Sequence, residues 1–418
     1  MNQFRLLGQR RFAPFFWTQF CGALNDNVFK VGFTTLATFH AQAYAGGVAG
    51  TAFLISALFI LPFLLFSATS GQLADKFEKS ALMRLVKNLE IAIMLVAVAG
   101  FLLPSLWVLY ACVFLMGLHL TLFGPVNYTY LPQHLATHEL AGGNALVETG
   151  TFIAILLGTI AGGLLASSSH TEASRVGALA VAPCLALALL GRWAVAGVPH
   201  SPPLTPEGAA GAVKVNWNPV TETLWNLRQA SRNPTVLMGM VGISWLWFVG
   251  ATFLTVLFPY ARDVLRVWHE VVTVLLAAFS ICIGAGSLLC EHASKGWVDL
   301  ALVLAGAAGI SLFGIGLVSA TPGAREAFSA MSSRAGPMEF IGHAQGVHLF
   351  VDLFLMVLSG GLYSVPLYVL IQARSEPHLR ARVVAANNIL NTLFMIVSAL
   401  LGLALSNAGH GRRRRCSC

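Results

Sequence analysis

Apolar stretches of about twenty residues alternate along this chain with short polar breaks. A hydrocarbon layer about 30 Å thick needs about 20 apolar residues per helix. On that rule the sequence predicts spans at 12–39, 48–69, 81–103, 105–125, 143–167 and 176–198, then a polar stretch at 199–234, then spans at 235–260, 269–290, 298–318, 347–371 and 383–405. The expectation is an all-α polytopic membrane protein: an N-terminal six-helix bundle over 1–198, a cytoplasmic linker over 199–234, a five-helix C-terminal bundle over 235–405, and an atypical basic tail over 406–418. Within the linker, Trp217, Val220, Leu224 and Leu227 recur at helical spacing. They predict an amphipathic helix lying on the membrane surface; a connector without fixed structure is the alternative.

The two halves carry weak internal echoes, as expected of a transporter built from repeats. Pro125-Val126-Asn127-Tyr128 after the fourth span is matched by Pro366-Leu367-Tyr368 after the tenth, and Asn144 by Asn387-Asn388. Trp17-x-x-Phe20-x-Gly22-Ala23 in the first span is matched by Trp245-x-x-Phe248-x-Gly250-Ala251 in the seventh. Six helices answering five suggests a missing twelfth helix, and the unusual segment from Gly409 to Cys418 is read as an altered or truncated end; a genuine basic tail, with the helix count or orientation miscounted, is the alternative.

Composition agrees with lipid as the solvent. Hydrophobic residues make up 56% and charged residues 10%, against about 25% charged in soluble domains. The net charge of +8 does not suggest nucleic acid, because the basic residues sit in short breaks between apolar runs. With the N-terminus in the cytoplasm, fifteen Lys and Arg fall inside and five outside, as the positive-inside bias requires. The tail arginines, Arg412–Arg415, are the exception. Cys21, Cys112, Cys184, Cys282 and Cys290 lie in apolar runs without metal-ligand spacing, and read as small packing residues. No cleavable signal peptide is expected, since the first apolar run is far longer than a leader's. No metal and no cofactor are expected.

Polar residues inside spans carry the candidate chemistry, because a charge at a helix centre costs about 2.5–3.5 kcal/mol and so faces a cavity or a partner. The first span holds Asn25-Asp26-Asn27 and Lys30. Asp26 and Lys30 are one turn apart and can pair, but together with the two asparagines they can also bind a polar headgroup or a coupling ion. Glu148, early in the fifth span, is the next candidate for the pathway. Glu90 reads as a structural partner of Arg84 or Lys87. His119 and Asp352 are candidate pathway residues with packing roles as the alternative. Gly158-x-x-x-Gly162 offers a face for close helix contact.

After the second span comes Gly71-Gln72-Leu73-Ala74-Asp75-Lys76-Phe77-Glu78-Lys79. This resembles the Gly-x-Leu-Ala-Asp-Arg/Lys signature of the major facilitator superfamily. Gly71 would allow close helix approach, and Asp75 would pair with basic residues and a helix N-terminus. With Lys76 and Lys79 they would form a latch for one conformation of a rocking transporter.

The combination of Gln19-Phe20-x-Gly22-Ala23-x-Asn25-Asp26-Asn27-x-Phe29-Lys30, Gly71-Gln72-Leu73-Ala74-Asp75, Phe123-Gly124-Pro125, Gly142-Gly143-Asn144-Ala145-Leu146-Val147-Glu148 and Arg382-Val383-Val384-Ala385-Ala386-Asn387-Asn388 is similar to the bacterial lysophospholipid transporter family within that superfamily. The resemblance implies two six-helix halves and a monomer in the bacterial inner membrane. It also implies movement of lysophospholipids, such as lysophosphatidylethanolamine, from the outer to the inner leaflet, where an acyltransferase partner re-acylates them. Substrate contacts would come from Asn25, Asp26, Asn27, Lys30, Asn127, Tyr128 and Glu148, with Asn144, Asn387 and Asn388 along the pathway. Two departures stand out. Asn127 occupies a position where relatives usually have Lys, and 252–257 lacks the Arg that some relatives carry in the seventh helix.

A proton-driven drug or metabolite exporter is the alternative. The fourth span has no Arg and the fifth no Pro, both common in such exporters. An acyltransferase is not indicated, because no His has an Asp five positions on, and there is no phosphate-binding loop to supply an ATP motor.

Overall fold

A computed structural model describes residues 3–39, 51–167, 173–203, 215–294, 299–331 and 333–415. Eleven long helices form two bundles. The first comprises α1 (Ala13–Phe39), α2 (Thr51–Lys76), α3 (Lys79–Leu102), α4 (Leu106–His134), α5 (Leu140–Ser167) and α6 (Ala173–Val195). A linker helix follows, α7 (Pro219–Ser231). The second bundle comprises α8 (Pro234–Pro259), α9 (His269–Ser294), α10 (Leu300–Ser329), the short α11 (Pro337–Gly342), α12 (Ala344–Arg374) and α13 (Arg380–Arg415). The linker expectation at 204–214 lies outside the described residues. Nine helices are long and apolar enough, within the described residues, to cross a membrane.

Caps written in the sequence set several helix starts. Glu78 accepts from the Ser80 and Ala81 amides to open α3, Asn218 caps α7 ahead of Pro219, and Asn233 caps α8 ahead of Pro234. Side-chain oxygens at this position satisfy amides that have no partner within the helix, and proline fits the first turn because its missing N–H costs nothing there.

Two expected loops are helical. The segments after the fourth and tenth spans, with Pro125 and Pro366, continue as the last turns of α4 and α12. A proline frees a carbonyl one turn back, and in a bundle hydroxyls and neighbouring helices make that tolerable. Ser70 of α2 donates its hydroxyl to the Thr121 carbonyl, the one that Pro125 frees, at 2.9 Å. The basic tail is not a separate segment either: α13 runs without a break past 405 to Arg415.

The bundles meet along two seams, α5 against α9 and α2 against α13. Small residues permit this. A Cβ on Gly71 would lie 2.8 Å from Ala385 Cβ and 3.0 Å from Arg382 Cα. Inside the first bundle, Gly158 does the same for α1, where its Cβ would lie 2.7 Å from Asn27 Cβ.

Candidate functional site: a buried charge cluster and a closed end

Five polar side chains from α1, α3 and α4 converge inside the first bundle. Asn25, Asp26, Lys87, Glu90 and His119 are each at most 2% exposed. Glu90 organises them. It accepts from Asn25 Nδ2 at 2.5 Å and from Lys87 Nζ at 2.6 Å, and His119 Nε2 lies 3.3 Å away. The Lys87 ammonium also sits over the Phe123 ring at 5.5 Å. No side chain could replace Gly22 without displacing it, since a Cβ there would lie 2.5 Å from Lys87 Nζ.

Asp26 is the member left over. Both its carboxylate oxygens are buried without a hydrogen-bond partner, and its nearest ionic neighbour is His119 Nδ1 at 4.0 Å. The expected Asp26–Lys30 pair does not form. Lys30, half-buried, places its ammonium over the Phe59 ring at 4.8 Å. Asn27 turns back to its own helix, donating to the Ala23 carbonyl at 2.7 Å. Glu90 does pair with Lys87, while Arg84 bonds Ser80 and lies 3.5 Å from Glu78.

The other candidates gather at a different place, the end that carries the α2–α3, α4–α5 and α12–α13 turns. Tyr128 stacks on Tyr368 with centroids 4.8 Å apart and planes within 8°. Asn144 and Gln372 exchange two hydrogen bonds at 2.8 and 2.9 Å. Glu148 accepts from Ser364 at 2.6 Å, and Thr149 donates to the Gly284 carbonyl at 2.9 Å. Asn388 Nδ2 would lie 3.0 Å from a Cβ on Gly124, and Asn387 and Asn127 each bury a side-chain oxygen without a partner. One apolar core runs across this end, joining Phe15, Tyr130 and Val147 of the first bundle to Val365, Val369 and Ala381 of the second. The molecule is therefore closed here. Towards the opposite end the α5–α9 seam reaches Phe152 against Phe279, and beyond it Leu157 and Leu164 are 46% and 64% exposed.

Asp75, near the end of α2, lies against the start of α13. Its Oδ1 accepts from the Ala381 amide at 3.3 Å, and its Oδ2 lies 3.8 Å from Arg382 Nε. Arg382 reaches on to Glu222 of α7 at 3.4 Å and covers the Trp225 ring at 4.5 Å. Gln72 and Asn216 exchange two further bonds at 2.8 and 2.9 Å. Lys79 is buried beside this group, and its ammonium has no hydrogen-bond partner. Lys76 points its ammonium towards the Phe77 ring, 5.8 Å from the centroid. Asp352 belongs to neither group. It pairs with His348 at 3.3 Å and packs against Gly316 of α10.

A family model for the Major Facilitator Superfamily matches residues 15–399. The chain belongs to the major facilitator superfamily. It is accordingly a transporter and not an enzyme. It is 27% identical to the "Lysophospholipid transporter LplT" of Cronobacter sakazakii over 93% of this chain and 87% of that one. It is 28% identical to the protein of that name in Serratia proteamaculans, over 64% of this chain; that alignment spans 63% of the Serratia protein, under two thirds of its length. The E. coli fucose:proton symporter FucP shares the fold at TM-score 0.67 and 12% identity, over 95% of this chain and 92% of that one. A bacterial homologue of the iron transporter ferroportin, solved in an outward-facing state, matches at TM-score 0.62 and 14% identity, over 93% and 92%.

Of the two partners expected for Glu90, the structure selects Lys87, which is 1% exposed in the bundle and pairs with Glu90 at 2.6 Å. Gln372, Ser364 and Glu222 gave no signal, because their partners lie more than 140 residues away.

Proposed function

We propose that this transporter carries lysophospholipids of the lysophosphatidylethanolamine type across the bacterial inner membrane, from the outer to the inner leaflet, where an acyltransferase re-acylates them. The N-terminus and the closed end face the cytoplasm in this reading, supported by the Lys and Arg distribution. The observation that carries the substrate assignment is Asp26: a fully buried carboxylate without a hydrogen bond, one helical turn from an ammonium, Lys30, that no carboxylate neutralises among the described residues. A zwitterionic headgroup offers the complement of both. Its ammonium would meet Asp26, and its phosphate would meet Lys30, which takes the place of the cations that relatives carry at the positions of Asn127 and in the seventh helix. Glu90 and Lys87 neutralise each other at 2.6 Å, which leaves the headgroup to Asp26 and Lys30.

Asp75, Gly71 and Lys79 would hold the cytoplasmic end shut, with Asn144, Glu148, Tyr128, Asn387 and Asn388 as the contacts that part when it opens. The test is uptake of labelled lysophosphatidylethanolamine into membrane vesicles, with efflux of a cationic dye as the rival readout. Lysolipid uptake without proton-driven dye efflux supports the proposal. Dye efflux with no lysolipid movement, from inserted protein, replaces it with an exporter.

A further inference from the structure

The repeat relates the turn between α4 and α5 to that between α12 and α13 by 240 positions: the helices end at His134 and Arg374, the turns are Thr137–Glu139 and Pro377–Leu379, and the next helices begin at Leu140 and Arg380. In the first bundle this corner is internally neutralised. Arg11, two residues before α1, grips Glu139 with bonds of 2.6 and 2.8 Å and donates to the His134 carbonyl at 2.9 Å.

The second bundle repeats the frame without the carboxylate. Asn233, immediately before α8, donates to the Arg374 carbonyl at 3.2 Å, the counterpart of the His134 carbonyl. Arg232 stands two residues before α8, as Arg11 does before α1. The position of Glu139, however, is taken by Leu379. In place of the ion pair there is a cavity of about 610 Å³, lined by Arg232, Arg374, Ser375, His378, Leu379 and Trp225. No carboxylate pairs with Arg232 or Arg374 among the described residues. Glu376, also on the rim, lies 3.5 Å from His378. Ser375, which replaces the buried Leu135 of the first bundle, is 6% exposed, and its hydroxyl has no hydrogen-bond partner.

We propose that this cavity binds a phosphate group supplied from outside the chain, which takes the role that Glu139 plays in the first bundle. Two guanidinium groups present forked donors to phosphate oxygens, the Ser375 hydroxyl donates a further bond, and the N-terminus of α8 adds a favourable dipole. The ligand is the headgroup of an anionic phospholipid in the adjoining leaflet. Basic pockets between helices at this depth suit such headgroups. The linker helix α7, which forms one wall, exposes Val220 and Leu224 at 65% and 63%, and Trp217, just before it, is 73% exposed. An apolar face of that kind sinks into the headgroup boundary and brings lipid phosphates level with the cavity. The site does not depend on which solute is carried.

The experiment titrates the purified full chain with phosphatidylglycerol, phosphatidylcholine or inorganic phosphate and follows thermal unfolding, since a ligand of the folded state raises the midpoint with concentration. Three proteins are compared: wild type, Arg232→Gln/Arg374→Gln, and Leu379→Glu, which restores the missing carboxylate and neutralises the cavity from within. Phosphatidylglycerol is expected to raise the wild-type midpoint and phosphatidylcholine to leave it unchanged, with apparent affinity at least tenfold weaker in both variants. A matching response to inorganic phosphate with no added effect of lipid would keep the anion site and assign it to a soluble ligand. Phosphatidylglycerol binding undiminished in a folded Leu379→Glu protein, or no anion response in wild type, would overturn the proposal.

Discussion

Glu90 and Asp26 stand 4 Å or less from the same imidazole, yet their circumstances are opposite. Glu90 has three partners and Asp26 has no hydrogen bond. Breaking one member of a buried ion pair leaves an uncompensated charge and costs about 3–5 kcal/mol. Lys87→Met is therefore expected to lower the thermal midpoint of the purified protein sharply, while Asp26→Asn, which orphans nothing, should leave it nearly unchanged. The sequence exposed Asn25, Asp26 and Lys30 because polar residues in an apolar run are conspicuous. It did not expose which of them are satisfied, since that depends on α3 and α4 supplying partners from 65 and 93 positions away.

Helix starts were legible to within three residues, but ends were not: α2, α4 and α10 run on to Lys76, His134 and Ser329, against expected ends at 69, 125 and 318. The fourth run misleads because proline is usually a stop, whereas α4 passes through Pro125 with the backbone supported by a hydroxyl of the neighbouring α2. The α2–α3 turn shows what a short polar break does. Burial acts to raise the Glu78 carboxyl, but hydrogen bonds from Ser80, Ser201 and Ala81 outweigh it and hold the group below the ordinary glutamate value. A depressed carboxyl stabilises the fold fully above its unfolded value, near 4.3, and that contribution is lost as pH falls through the folded value. The cap is worth about 1 kcal/mol. Thermal unfolding between pH 6 and 3 should fall more steeply in wild type than in Glu78→Gln, which lacks the titrating group. On the neighbouring surface, Arg382→Gln removes the bridge from Asp75 to Glu222 and the cover over Trp225. It is expected to speed tryptic cleavage at Arg228 and Arg232, on and beside α7, severalfold without changing the helical content.

At the scale of the molecule, the two bundles are joined at one end by side chains far apart in sequence. Asn144 and Gln372 satisfy each other there, so truncating either leaves a buried amide orphaned, at a cost of about 1–3 kcal/mol, paid only while that end is shut. Gln372→Ala should therefore shift the population towards the state open at that end, raising maleimide labelling of a cysteine placed at Ser364. The weak echoes taken together, Tyr128 with Tyr368 and Trp17 with Trp245 among them, made two halves legible. That the two tyrosine rings stack on each other, and so mark the closed end, could not be read from either copy.

The most direct measurement is uptake of lysophosphatidylethanolamine into vesicles containing equal amounts of inserted wild type and Asp26→Asn. Uptake by wild type and a loss of at least tenfold in the variant are expected, with an unchanged thermal midpoint. Wild-type uptake that survives Asp26→Asn, or no lysolipid movement by the folded wild type, would contradict the proposed function.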